Sequence, residues 1–132
     1  MTCLLRQHYA TPAKLMSYGG GSAKFILENG KEIVQRMKDD FTLEALDPEC
    51  LSASISNLIE LRALTEKAVL HVLRTRFLQN EIYTLVSGIV IACNPFKPLN
   101  IYGKETMDTY RRTRDHSTLK PHVFSVANEV YR

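Results

Sequence analysis

The 132-residue sequence is poor in cysteine, and its three cysteines, Cys3, Cys50 and Cys93, show no C-x-x-C spacing. An odd number without that spacing argues against a disulfide framework or a zinc site and fits a reducing cytosol. No apolar run is long enough to span a bilayer, so no membrane span is expected. Residues 1–6 show no sustained apolar segment leading to a small-residue cleavage site, which argues against a signal peptide. No G-x-x-x-x-G-K-[ST] occurs anywhere, so the usual phosphate-cradling loop is missing. Gly19-Gly20-Gly21-Ser22 lacks the Lys-Ser/Thr ending of such a loop, has only Lys24 nearby, and reads as a flexible break. His8, His71, His116 and His122 do not fall at metal-ligand spacing and read as ordinary helix and loop histidines, so no metal site is expected. Ser87-Gly88 lacks the flanking glycine of a nucleophile elbow, and Asp39-Asp40 beside Lys38 reads as a solvated turn. Internal repeats and low-complexity tracts are also missing.

Charge is nearly balanced. A net charge of +3 gives no reason to expect nucleic acid as a partner. The one local excess is Arg111, Arg112, Arg114, His116 and Lys120, which reads first as a solvated loop and second as a surface for an acidic partner. With 45% hydrophobic and 23% charged residues, the composition is that of a globular segment of one-domain size.

Patterned elements begin after residue 24, and residues 1–24 are expected to be weakly ordered. Phe25-Ile26-Leu27, the hairpin signal Asn29-Gly30 and Glu32-Ile33-Val34-Gln35 predict two antiparallel strands. Such a hairpin needs a further surface to cover it. Asp47-Pro48 marks a turn, with Ser54 or Ser56 as a cap for the next element. Asn57 to Leu61 predicts a short helix with Asn57-x-x-Glu60 as a capping box. Thr65 caps a helix over 66–78, with Glu66 and Arg74/Arg76 placed to suit its dipole and Val69, Val72, Leu73 and Phe77 as its apolar face. Residues 82–87 and 89–93 predict strands broken at Gly88. The second has no polar alternation, which predicts a strand covered on both faces, with Cys93 as a small core residue. Pro95 and Pro98 stiffen the adjoining loop. Helices are predicted over 104–112, presenting Met107 and Tyr110, and from Pro121 to Tyr131, presenting Val123, Val126, Ala127 and Val130.

Five segments, in order, resemble the myosin motor domain. Asn57-Leu58-Ile59-Glu60-Leu61 resembles its opening acidic-hydrophobic box, with Asn57 where Asp is usual. Residues 68–77 resemble the next helix of that domain. Ile82-Tyr83-Thr84-Leu85-Val86-Ser87-Gly88 resembles the strand pair I-Y-T-Y-S-G, Leu85-Val86 replacing one Tyr. Asn94-Pro95-Phe96-Lys97-Pro98-Leu99-Asn100-Ile101-Tyr102 resembles the purine-binding loop, in which an Asn-Pro pair and a later Tyr frame the adenine of ATP. Residues 121–132 resemble the helix that precedes the phosphate loop. Residues 25–56 more loosely resemble the last strands of the small SH3-like barrel that often precedes a myosin motor core.

The resemblance implies an α/β fold: the N-terminal fragment of a P-loop NTPase, the myosin motor, behind a small SH3-like β remnant. Its divisions would be a weakly ordered segment 1–24, the β-hairpin remnant and linker 25–56, and the start of the motor 57–132. It implies that Asn94, Pro95, Phe96, Lys97 and Tyr102 form an adenine site. The Asn amide and the Tyr hydroxyl each donate and accept, which suits the edge of a purine. ATP and Mg²⁺ are the implied cofactors, the magnesium ligands lying outside this chain. The intact protein would be a cytoplasmic, cytoskeletal ATPase whose remainder carries the actin surface and any light chains. No residue here is a catalytic candidate, and the chain alone is expected to be inactive. The alternatives are a truncated, non-catalytic motor remnant, whose exposed strand would make it poorly soluble, and a small basic interaction module using Arg111 to Lys120.

Overall fold

The computed structural model describes residues 2–5, 11–36, 50 and 55–131. It is a mixed α/β arrangement in two compact units. One unit takes residues up to Ser52 and Leu61–Val72. The other takes Ala53–Glu60 and Leu73–Arg132.

The first unit holds a four-stranded sheet of consecutive neighbours: β1 (Thr2–Leu5), β2 (Thr11–Gly19), β3 (Ser22–Leu27) and β4 (Glu32–Arg36). All its pairings are antiparallel. The expected hairpin is present, with Phe25 opposite Ile33 and Ile26 opposite Glu32. Its turn is closed by Leu27 N–H to Lys31 O and Gly30 N–H to Leu27 O, both at 2.9 Å, while Asn29 Oδ1 accepts from Lys31 N–H at 3.0 Å. The glycine run is a correction. Gly20 and Gly21, at φ +58° and +70°, make the tight turn that pairs Gly19 with Ser22, so the segment is a hairpin and not a flexible break. Residues 1–24, expected as weakly ordered, therefore contribute β1 and β2. The composition misled here because β2 is interrupted by a bulge between Leu15 and Ser17, which destroys its alternation. Ala13, Ala23 and Phe25 are buried, with Leu15, Leu27 and Ile33 packed against them.

Helix α1 runs over Glu66–Leu78 as the sequence predicts, and Thr65 Oγ1 caps it by accepting from Ala68 N–H at 3.2 Å. Its buried face differs from the expected one. Ala68, His71, Val72 and Arg76 are buried, while Phe77 is exposed. A long polar residue turned inward is invisible to an apolar-period argument.

In the second unit, β5 (Tyr83–Val86) and β6 (Ile89–Ala92) form an antiparallel pair across a Ser87-Gly88 turn. Residues 55–57 lie parallel to β5. Asn57 bridges Leu85, and Leu85 N–H donates to Ser56 O at 2.8 Å. A short 3₁₀ helix, Leu58–Glu60, comes next, within the span 57–61 where a short helix is predicted. Asn57 Oδ1 accepts from Ile59 N–H at 3.4 Å and from Ser87 N–H at 3.1 Å, tying that short helix to the hairpin.

Helices α2 (Lys104–Arg112) and α3 (Val123–Val130) complete the unit. Two burial expectations fail here. Among the described residues β6 is not covered on both faces, since Ile89 is 69% exposed and Cys93 only half-buried. The stripe on α3 is inverted: Val123, Val126 and Val130 are exposed, and His122 and Ser125 are buried. The polar pair is satisfied internally, with Ser125 Oγ donating to His122 O at 2.6 Å, so it can lie inside at little cost.

Candidate purine-binding loop

The loop after β6 is shaped by its own first residue. Asn94 Oδ1 accepts from Phe96 N–H at 2.9 Å, an Asx turn across Pro95. Pro95 fixes its own φ, and Phe96 takes φ +51°, an uncommon conformation for an aromatic residue. The result lifts the Phe96 ring into solvent, 90% exposed. One lone pair of the Asn94 amide oxygen is thereby used by the turn. Asn94 is exposed, and its amide nitrogen has no partner among the described residues. Pro95 is half-buried, and Lys97 and Pro98 are exposed.

The far end of the loop is held from inside the unit. The Tyr102 hydroxyl lies 2.8 Å from that of Tyr83, and either can donate. Tyr83 is buried, and desolvation, with the Tyr102 contact second, pushes its phenol up to about 12, so it stays protonated. Tyr102 keeps 51% of its surface exposed. One residue earlier, Ile101 O lies 3.0 Å from His122 Nε2. His122 Nδ1 accepts from Phe124 N–H at 3.1 Å and caps α3. A neutral imidazole has one donor and one acceptor, so the proton sits on Nε2 and is donated to Ile101 O. Burial holds this imidazole below its ordinary pKa, with the Ile101 bond opposing.

An aromatic cluster surrounds that ring. His122 stacks on Tyr110 (centroids 5.0 Å, 29°) and meets Tyr83 edge-on at 5.0 Å. Its centroid lies 5.6 Å from Tyr102 and 4.6 Å from Phe124. Tyr110 is fixed by donating to Lys120 O at 2.7 Å, and Asn128 Nδ2 donates to Tyr110 O at 2.9 Å. Sequence reasoning treated His122 as an ordinary histidine and Tyr83 as one letter of a strand. The available signal was the pairing of a histidine at a helix N-cap with aromatics on two other elements.

Of the five residues expected at the adenine site, the structure places Asn94, Pro95, Phe96 and Lys97 on one turn and Tyr102 at the anchored end of the same loop. These residues suit the base half of a nucleotide: a donor amide, a hydroxyl and exposed ring faces. They offer little to its phosphates, for which Lys97 is the single cation in the loop. Among the described residues, no group of three or more His, Cys, Asp or Glu could hold a metal ion. No helix of the described residues is long and apolar enough to cross a membrane.

The basic cluster is partly spent. Lys120 Nζ lies 2.6 Å from Glu81 Oε1, and His116 Nε2 lies 2.9 Å from Tyr110 O. Arg111 and Arg112 remain exposed on the last turn of α2.

Residues 55–132 match the family model described as myosin head (motor domain). The chain is 34% identical over 119 residues to Myosin-3 of Arabidopsis thaliana, covering 90% of this chain and 10% of that protein. It is 39% identical over 105 residues to Myosin-7 of Arabidopsis thaliana, covering 79% of this chain and 6% of that protein. It is 37% identical over 81 residues to unconventional myosin-Ia of Gallus gallus, covering 61% of this chain and 8% of that protein. The chain therefore spans a tenth or less of the length of these relatives. The 119-residue alignment extends beyond the 78 residues that the family model covers and reaches into the region of the first sheet.

Proposed function

The chain belongs to the myosin motor family and carries an N-terminal segment of that domain, and from this premise we propose that residues 94–102 are its purine-binding loop. In the whole protein that loop would hold the adenine of ATP, whose hydrolysis with Mg²⁺ drives movement along actin. Asn94, Pro95, Phe96, Lys97 and Tyr102 are the proposed contacts. The observation that carries the reading is Tyr102: anchored through its hydroxyl to buried Tyr83, it still leaves half its surface outside, on a loop whose other end exposes an amide donor and an aromatic ring. An anchored but exposed aromatic suits a ligand better than a core role.

Within this reading, Asn94 and Tyr102 orient the base, Pro95 and Phe96 exclude water from one side of it, and Lys97 lies toward the phosphates. The triphosphate supplies the reacting bond and Mg²⁺ the charge neutralisation, and neither finds its usual cradle in these 132 residues. The parallel alignment of residues 55–57 with β5 supports a P-loop NTPase sheet that further strands of the motor complete. β1–β4 and the linker to residue 56 are proposed as the SH3-like element ahead of the motor, which begins at about residue 57. A cytoplasmic, cytoskeletal location, and light chains bound elsewhere in the motor protein, belong to the same reading.

A second reading is a non-catalytic remnant, in which the apolar residues of β6 and α3 stay uncovered. Actin-activated ATPase assays separate the two. The protein encoded by the complete transcript is expected to hydrolyse ATP faster with actin, and Tyr102→Ala to weaken its ATP binding about tenfold. Absence of actin-stimulated turnover in that product would leave the remnant reading standing. The 132-residue chain on its own is expected to show no turnover.

A further inference from the structure

We propose that Tyr83 and His122 are positioning residues for purine recognition: from β5 and the N-cap of α3 they fix the Ile101-Tyr102 end of the loop so that Tyr102 meets the base in one orientation. The inference rests on the purine-loop reading above and adds to it two residues outside the loop. Two independent bonds converge on adjacent loop residues. Tyr83 Oη meets Tyr102 Oη at 2.8 Å, and His122 Nε2 donates to Ile101 O at 3.0 Å.

Both anchors are themselves immobilised. Tyr83 is paired in the β5–β6 ladder opposite Ala92, and His122 is held by its cap bond to Phe124 N–H and by the Tyr110 stack. The loop is exposed except at half-buried Pro95, Leu99 and Ile101, and the Tyr102 ring itself rests beside His122 at 5.6 Å and meets Phe124 edge-on at 6.2 Å. A hydroxyl whose partner is fixed also has its remaining hydrogen-bond direction fixed. When Tyr83 donates, the Tyr102 proton is left for an acceptor on the ligand; when Tyr102 donates, its lone pair is left for a ligand amine. The same pair that places the ring therefore governs which purine edge it can read. Ordering the loop in advance lowers the entropy lost on binding, which is how a residue that never touches a ligand raises affinity for it.

The test compares ATP with inorganic tripolyphosphate, which lacks the base, in the protein encoded by the complete transcript. Their affinity ratio isolates the contribution of the purine. Tyr83→Phe removes one hydroxyl and keeps the ring, and it is expected to cut the ratio about five- to tenfold with tripolyphosphate binding unchanged. The effect should vanish when Tyr102 is already Phe, since the cycle then has no bond left to break. His122→Asn keeps a cap acceptor but cannot reach Ile101 O, and it should lower the same ratio. A merely structural role for either residue would weaken both ligands together. A wild-type protein that binds ATP no better than tripolyphosphate, or binds neither, overturns the purine-loop reading itself. A wild-type preference for ATP that survives Tyr83→Phe and His122→Asn overturns the positioning role alone.

Discussion

His122 shows how one side chain can decide several things that no residue count reveals. Its two ring nitrogens face different elements, Nδ1 to the start of α3 and Nε2 to the loop, and the Nδ1 bond requires the neutral ring, whereas Nε2 can donate to Ile101 O in either state. Protonation would turn Nδ1 from acceptor to donor and set it against Phe124 N–H. Because burial depresses the folded-state pKa, the stabilisation is complete above the unfolded value of about 6.5 and is lost as pH falls below it toward the folded value. The groups facing the ring are the phenols of Tyr83, Tyr102 and Tyr110, with His116 beyond Tyr110 at 6.1 Å and Glu81 acting on Tyr110. Melting temperatures measured from pH 8 down to pH 5 are expected to fall more steeply in the wild type than in His122→Asn. Parallel curves for the two proteins would remove His122 as the source. The turn that opens the loop was legible, because Asn-Pro is a turn starter and the Asn94 side chain closes it on Phe96 N–H. The residues supporting the loop were not, because their roles depend on contacts across 19 and 21 positions of chain.

At the scale of elements, the ends of α1 could be read from Thr65 and the dipole pattern, and α2 from the spacing of Met107 and Tyr110, since capping and periodicity are local. Which face each helix buries is a tertiary matter. The clearest case is Arg76, read from sequence as a cation suited to a helix C-terminus. Its Nε donates to Thr84 Oγ1 at 3.0 Å, Nη1 to Ile55 O at 3.2 Å and Nη2 to Tyr83 O at 2.8 Å. It thus joins the last turns of α1 to β5 and to the parallel segment beside it. Burial lowers its pKa, with Glu81 at 3.9 Å opposing, yet a guanidinium stays charged throughout the working range. A lysine there reaches one partner, not three in a plane, and leaves buried acceptors unpaired. Urea unfolding is expected to show Arg76→Lys destabilised by about 2 kcal/mol and Arg76→Ala by about 3–4 kcal/mol. A loss below about 0.5 kcal/mol in both variants would mean that the three bonds are not what holds these elements.

For the molecule as a whole, the two inverted burial expectations have one physical origin. The apolar run of β6 and the valine stripe of α3 were read as core, and residues of that kind usually are. In the second unit Ile89 is 69% exposed, Val130 78%, Val123 42% and Val126 38%. The chain spans a tenth or less of the relatives it matches, and sequence patterning reports the burial a residue has in its complete protein. The pattern and the structure are therefore both consistent with a motor in which further elements cover these faces. Prepared as these 132 residues alone, the chain should satisfy them by self-association, through the open edge of β6 and the uncovered valines. Sedimentation velocity at micromolar concentration is expected to show species larger than a monomer. Ile89→Lys with Val126→Lys should raise the monomer fraction several-fold, because a lysine on an exposed strand blocks edge pairing and breaks the apolar patch. A wild-type chain that sediments as a single monomer and unfolds cooperatively would mean that these faces need no cover, and would weaken the case that they belong inside a larger motor.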